Sequence, residues 1–210
     1  MTRRAFHHEP EDVRRQALID ATLDAVADLG LPGANVREVA ARASVTPGLI
    51  RHYFQSKDRL VEAAYTAFIT EMIAEVRRQV GEGRPAERLE RLVRASCSEP
   101  LASSRHIAIW AAFVGAAHTD AAMARVHRDG YRSFRQLLEE IIADLGTERC
   151  IEIETARISR QAIAVNAIID GIWLEVSLDR AAFDGIDIMA LALESILAML
   201  RMTISQGAPA

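Results

Sequence analysis

Gly and Pro punctuate this chain at long intervals, and between them apolar residues recur every three to four positions. That periodicity constrains the fold more than any other feature. A 3.6-residue repeat marks amphipathic helices, and the strict alternation that marks strands is nearly absent. Ala, Leu, Ile, Glu and Arg dominate the segments between breaks, which suits helices. The expectation is an all-α protein of nine helices. The first opens at Pro10 and runs to about Leu29, with Leu18, Ala21, Thr22, Ala25 and Leu29 on one face, and Gly30 to Gly33 stop it. The second spans about Val36 to Ala43 behind an Asn35 cap. The third spans Pro47 to about Tyr53, with Thr46 as N-cap and Pro47 in the first helical position. The fourth is capped by Ser56 and reaches about Val80, where Gly81 to Pro85 form the clearest break. Five more follow at about 86–96, 104–117, 120–145, 148–178 and 187–205.

Composition removes several classes of protein. The chain has 210 residues, half of them apolar and 26% charged, enough to bury a core and too apolar for a disordered chain. The longest uncharged apolar stretch, Ile107 to Thr119, is 13 residues and too short to span a bilayer. The start has no apolar run behind its charges, unlike a secretory signal. Two cysteines without Cys-x-x-Cys spacing fit a reducing, cytoplasmic setting and give no zinc site. Net charge is −4, so no bulk positive field announces a nucleic-acid binder. The balance is uneven, however. Residues 1–59 hold nine basic and eight acidic residues, a net of +1, against −5 for the remainder, and Lys57 is the only lysine.

Residues 36–54 read Val-Arg-Glu-Val-Ala-Ala-Arg-Ala-Ser-Val-Thr-Pro-Gly-Leu-Ile-Arg-His-Tyr-Phe. Val36, Val39, Ala40 and Ala43 form one helical face. Val45 plugs a short corner, and Leu49, Ile50 and Phe54 supply the apolar side of the next helix. Two short helices around such a corner describe a helix-turn-helix, whose second helix enters the major groove. A plain helical hairpin in a core has the same period. The candidate DNA-contacting set is Arg37, Thr46, Pro47, Gly48, Arg51, His52, Tyr53 and Lys57. Gly48 permits close backbone approach, and Arg51 suits bidentate contact with guanine O6 and N7. Lys57, at a helix N-terminus, suits a phosphate.

The ordered string Val45-Thr-Pro-Gly-Leu-Ile-Arg-His-Tyr-Phe-Gln-Ser-Lys-Asp-Arg-Leu60, behind a long first helix, resembles the TetR family of bacterial one-component regulators. Tyr53-Phe54-x-x-Lys57-x-x-Leu60 is its most specific part. Ser44 departs from the family, which usually has Gly in that turn. The resemblance implies an N-terminal helix-turn-helix domain, taken as 1–57, and a helical ligand-binding and dimerisation domain, taken as 58–210. It also implies operator DNA and a small-molecule effector as partners, with the fourth helix swinging the DNA-binding heads when effector binds. Past residue 100, Trp110-Ala-Ala-Phe113, His118-Thr-Asp, Tyr131-Arg-Ser-Phe-Arg-Gln-Leu-Leu138 and Ile168-Ile-Asp-Gly-Ile-Trp-Leu174 look like the BetI branch, whose namesake responds to choline.

Helix nine and the second half of helix eight are apolar almost all round, so each must be buried on several sides. Pairing with the same helices of a second copy solves this, and the resemblance implies that homodimer too. Cover by helices five to seven is the alternative. Helix eight also carries a polar stripe, Asn166, Asp170, Trp173 and Ser177. A carboxylate inside an apolar helix is costly unless paired. Asp170 beside Trp173 therefore suggests a site for an organic cation, with Trp110, Phe113, Tyr131, Phe134 and Asn166 completing it. The alternative is that Asp170 pairs with an Arg and the rings are core.

His106, His118 and His127 lack metal-ligand spacing and read as surface or helix-end residues, and His7 and His8 read as disordered. Asp20, Asp24 and Asp28 read as a solvated face. No Gly-rich phosphate loop, His-Glu-x-x-His or nucleophile elbow points to an enzyme. The expectation is a ligand-responsive repressor without cofactor, metal or membrane attachment. An all-α binding or enzymatic dimer that does not touch DNA is the alternative.

Overall fold

The computed structural model describes residues 11–205, with side chains to residue 201. The readings at Pro10 and at the two histidines before it lie outside that range. Nine α-helices and one 3-10 turn make up the described chain: α1 Glu11–Gly33, α2 Val36–Arg42, α3 Pro47–Phe54, α4 Lys57–Val80, α5 Pro85–Cys97, α6 Ser104–Ala117, α7 Ala121–Glu148, α8 Thr155–Leu178, the 3-10 turn Arg180–Phe183, and α9 Ile188–Ser205. No strand occurs among the described residues.

α1 packs on α2, α4 and α6; α3 on α2 and α4; and α4 on α5 and α7. α7 then contacts α5, α6 and α8, and α9 closes the body against α5 and α8. One continuous apolar core runs from Leu18 to Leu200.

Several expectations need correction. Leu29 does not join the buried face of α1; it is half exposed. Gly30 leaves helical geometry there (φ 67°), and the chain doubles back so tightly that a Cβ at Gly33 would lie 2.4 Å from Leu29 Cβ. The boundary between α7 and α8 also lies elsewhere: α7 extends to Glu148, and α8 starts only at Thr155. Cys150 adopts φ 55°, Ile151 N–H bonds the Gly146 carbonyl at 2.9 Å, and residues 151–154 belong to no helix. Gly146 permits this, because a Cβ there would meet the Ile151 carbonyl oxygen at 2.9 Å. The aspartates of α1 are not merely solvated. Asp24 pairs with Arg105 of α6 (2.5 Å), Asp28 pairs with Arg42 of α2 (2.7 Å), and Asp20 accepts from Gln16 (2.8 Å).

α5 to α7 leave part of α8 and α9 uncovered. Ala192, Ile196 and Leu200 point inward, while Ile163, Leu174, Leu178 and Leu191 are exposed. By length and composition alone α8 would reach across a bilayer, but it carries Arg157, Arg160, Asp170 and Glu175 and packs between α7 and α9.

Candidate functional site

The head is built from its caps upward. Asn35 Oδ1 accepts from the backbone N–H groups of Arg37 (3.0 Å) and Glu38 (3.1 Å), which starts α2. Val39 and Ala40 turn inward. Ser44 turns the chain at φ 54°, a conformation natural to Gly and worth about 1 kcal/mol of strain for other residues. Val45 N–H then bonds the Ala40 carbonyl at 2.9 Å. Arg42 bridges Glu38 and Asp28, both at 2.7 Å, and so fixes α2 to α1.

α3 buries Ile50 and Phe54 and presents its other face to solvent. Thr46, Pro47, Gly48, Arg51 and His52 are exposed there, together with Arg37 from α2. Tyr53 is half-buried with its ring edge-on to His52 at 5.1 Å, and Lys57 is half-buried in the first position of α4. A Cβ at Gly48 would meet nothing within 4 Å, so the backbone there is open to a close approach. Among the described residues, Arg37, Arg51 and Lys57 make no ion pair. The eight sequence-predicted residues thus lie in one short segment, with their cationic groups uncommitted.

The second feature is a small cavity of about 30 Å³ inside the body, so a ligand the size of choline would enter it by displacing lining side chains. α4 supplies an apolar wall of Ile69, Met72, Ile73 and Val76. Trp110 of α6, Tyr131 and Phe134 of α7, and Asn166, Asp170 and Trp173 of α8 complete it, with Ser96, Leu101, Ile169 and Gly130. Of the seven residues proposed from sequence, six therefore meet in one space. Phe113 does not line it. It is fully buried and stacks on Tyr65 at 4.2 Å.

A hydrogen-bonded chain organises the polar end of the cavity. Trp110 Nε1–H donates to the Tyr131 hydroxyl (2.8 Å), which donates to Asp170 Oδ1 (3.2 Å). Asn166 Nδ2–H donates to Asp170 Oδ2 at 2.7 Å. Trp173 Nε1–H donates to the Ser96 carbonyl (2.9 Å), which sets the two indoles edge to face at 5.7 Å. Among the described residues no Arg or Lys pairs with Asp170. Burial pushes its carboxyl up to about 6, against the opposing pull of Tyr131, Asn166 and the more distant Arg135. Burial and then the Asp170 charge hold the Tyr131 phenol well above its usual range, so it remains a donor.

His127 is not the surface residue that its spacing suggests. It is half-buried, stacks on Tyr131 at 4.0 Å, and its Nδ1 lies 2.9 Å from the Tyr65 hydroxyl. Sequence reasoning missed Tyr65, His127 and the α4 wall. The apolar period of α4 marks a buried face but not what that face encloses.

The model of the tetR family of bacterial regulatory proteins matches residues 18–64, and the model of the BetI-type transcriptional repressor C-terminal region matches residues 85–201. The chain belongs to the TetR family, with a BetI-type C-terminal region. The HTH-type transcriptional regulator BetI of Serratia proteamaculans is 31% identical over 195 residues, covering 91% of this chain and 94% of the relative. BetI of Pectobacterium carotovorum is 30% identical, covering 92% and 97%. Among solved structures, a transcriptional regulator of Pseudomonas aeruginosa PAO1 superposes with a TM-score of 0.84 at 29% identity, covering 97% and 98%. A regulator of Saccharomonospora viridis solved in complex with choline shares the fold, with a TM-score of 0.75 at 16% identity over 91% and 97% of the two chains. This TetR-family protein is thus a DNA-binding transcriptional regulator of the repressor type. The family consists of regulators, which are not enzymes.

Proposed function

We propose that the protein is a homodimeric cytoplasmic repressor released from its operator by a small organic cation that occupies the cavity between α4, α6, α7 and α8. Residues 1–57 serve as the DNA-binding head and residues 58–210 as the effector-binding and dimerising body. One observation carries the choice of effector. Asp170 is a half-buried carboxylate with two neutral hydrogen-bond donors and no ion-pair partner among the described residues, beside two indoles set edge to face. A buried anion without a counter-charge is unfavourable, and a quaternary ammonium would supply that charge while its methyl groups meet ring faces. The Saccharomonospora viridis regulator supports a choline-like ligand, since it was solved with choline.

In the head, Arg51 reads a base edge, with Thr46, Pro47, Gly48, His52 and Tyr53 around it, and Arg37 and Lys57 hold phosphates. The exposed apolar residues Ile163, Leu174, Leu178 and Leu191 support dimerisation through α8 and α9. Titration calorimetry with choline tests the effector: saturable heat is expected, and no heat at millimolar choline rejects this ligand. Choline binding that leaves DNA affinity unchanged rejects the switch.

A further inference from the structure

Resting on the cavity as effector site, we propose that Tyr65 and His127 are the residues that convey the state of the Tyr131–Asp170 pair to the DNA-bearing end of α4. Tyr131 belongs to the cavity, and its hydroxyl joins Trp110 to Asp170. Its ring also lies against the His127 ring at 4.0 Å with only 29° between the planes. His127 projects from α7, one turn before Tyr131, and meets Tyr65 one turn beyond Val61 on α4. Tyr65 is wholly buried, and Phe113 stacks on its other side at 4.2 Å, so its ring is clamped.

Both partners of this bond are uncharged at neutral pH. Burial, then Arg135, holds the His127 imidazole below its ordinary value, so it is neutral at neutral pH. Burial holds the Tyr65 phenol above its own, so it keeps its proton. The imidazole tautomer sets the direction: the Tyr65 O–H donates to Nδ1 when the ring proton is on Nε2, and Nδ1–H donates to the hydroxyl oxygen when it is on Nδ1. Inside the protein each polar group of this chain depends on its neighbour, because an unpaired buried donor or acceptor is costly.

The contacts between α7 and α4 climb in the same order along both helices. Arg125 pairs with Glu62, His127 bonds Tyr65, Gly130 lets Ile69 pack into its missing side chain, and the Ser133 carbonyl accepts from Arg77. A cation that takes over Asp170 competes with the Tyr131 hydroxyl for Oδ1. Any shift of the Tyr131 ring then loads the His127 stack and, through Nδ1, Tyr65. Tyr65 lies eight residues from Lys57, about 12 Å along the helix.

The test is a double-mutant cycle read by hydrogen–deuterium exchange in the dimer, without DNA. Tyr131→Phe removes the hub hydroxyl without any ligand, and Tyr65→Phe removes the hydroxyl bonded to His127 while keeping the ring on Phe113. Tyr131→Phe is expected to change exchange in residues 57–66 by about 2- to 30-fold, the range of coupled networks, and to lose that effect in a Tyr65→Phe background. An equal effect in both backgrounds, or none in either, overturns the proposal. Should Tyr65→Phe fail to fold, His127→Phe keeps the stack, removes the ring nitrogen bonded to Tyr65 and completes the same cycle. Adding choline gives a separate arm. If choline leaves exchange around α8 unchanged while the cycle still shows coupling, the effector reading fails and the relay stands. If choline protects α8 and the cycle shows no coupling, the relay fails and the effector reading stands.

Discussion

Replacing Asp170 with Asn is expected to stabilise the ligand-free protein at pH 7.5 while weakening its grip on an organic cation. The carboxyl titrates near 6 in the folded state, against 3.8 as its ordinary value. Between those values the native state holds a proton that the unfolded state has released. Stability is therefore full below about pH 4 and is lost as pH rises through 6. A difference of about two pKa units corresponds to roughly 3 kcal/mol at neutral pH. The introduced amide can still accept from Tyr131, but Asn166 must flip or give up its bond, which returns about 1 kcal/mol. The net gain of about 2 kcal/mol should raise Tm by about 4–8 °C for a chain this size. Scanning calorimetry should show that gain at pH 7.5 and its disappearance at pH 4.5, where wild-type Asp170 is neutral. Choline affinity should fall at least tenfold at pH 7.5, because a charge pair near 4 Å is worth about 4 kcal/mol under typical protein screening. A lower Tm for Asp170→Asn at pH 7.5, or the same shift at both pH values, would refute the reasoning.

Three further outcomes follow from other parts of the molecule. Arg51→Ala should cost about 1–3 kcal/mol of operator affinity and relax one base position, whereas Lys57→Ala should weaken all sequences alike and lower the salt slope by about one; footprinting titrations across salt separate the two. Gly130→Ala places a methyl group 2.1 Å from Ile69 Cγ2, and the overpacked α4–α7 crossing should lose about 1–3 kcal/mol, with partial rescue by Ile69→Val in chemical denaturation. Leu174→Arg or Leu197→Arg should give folded monomers in sedimentation at micromolar concentration, and a persistent dimer would place the subunit contact elsewhere.

Most helices are legible in the sequence because Gly, Pro and capping side chains mark their ends: Asn35 and Ser56 accept the backbone bonds expected of them, and Pro47 and Pro85 open α3 and α5. The α7–α8 corner is not, because its turn residue is Cys150 rather than Gly. One signal is present there. Ile151-Glu-Ile-Glu154 alternates with period two, which is extended rather than helical patterning. The polar stripe on α8 is readable as an i, i+4 pair, Asn166 with Asp170. Tyr131 as their third partner is not, since it comes from a helix 39 residues away in sequence. His127 lacks metal spacing, and a lone histidine carries no other local signature. Its contact with Tyr65 spans 62 positions and exists only because α4 and α7 cross closely at Gly130.

The shared core decides what kind of motion this regulator can use. Leu18 of α1 and Leu200 of α9 belong to one continuous apolar cluster, and Arg105 ties α6 to Asp24 of α1. Detaching the head from the body would expose buried core, so a head free to swing on a loose linker is excluded on energetic grounds. α4 offers the cheaper route. It has 24 residues, with Lys57 at its first position and Val76 in the cavity wall, a lever of about 28 Å. A tilt of about 5° at the cavity end displaces Lys57 by about 2.5 Å over that lever. Base-edge hydrogen bonds are lost over less than that distance. In a dimer two such displacements add or subtract across a spacing that must match one turn of DNA, about 34–36 Å. A tilt of that size at the cavity end of α4 is thus on the right scale to change DNA binding, provided α4 stays straight along its length.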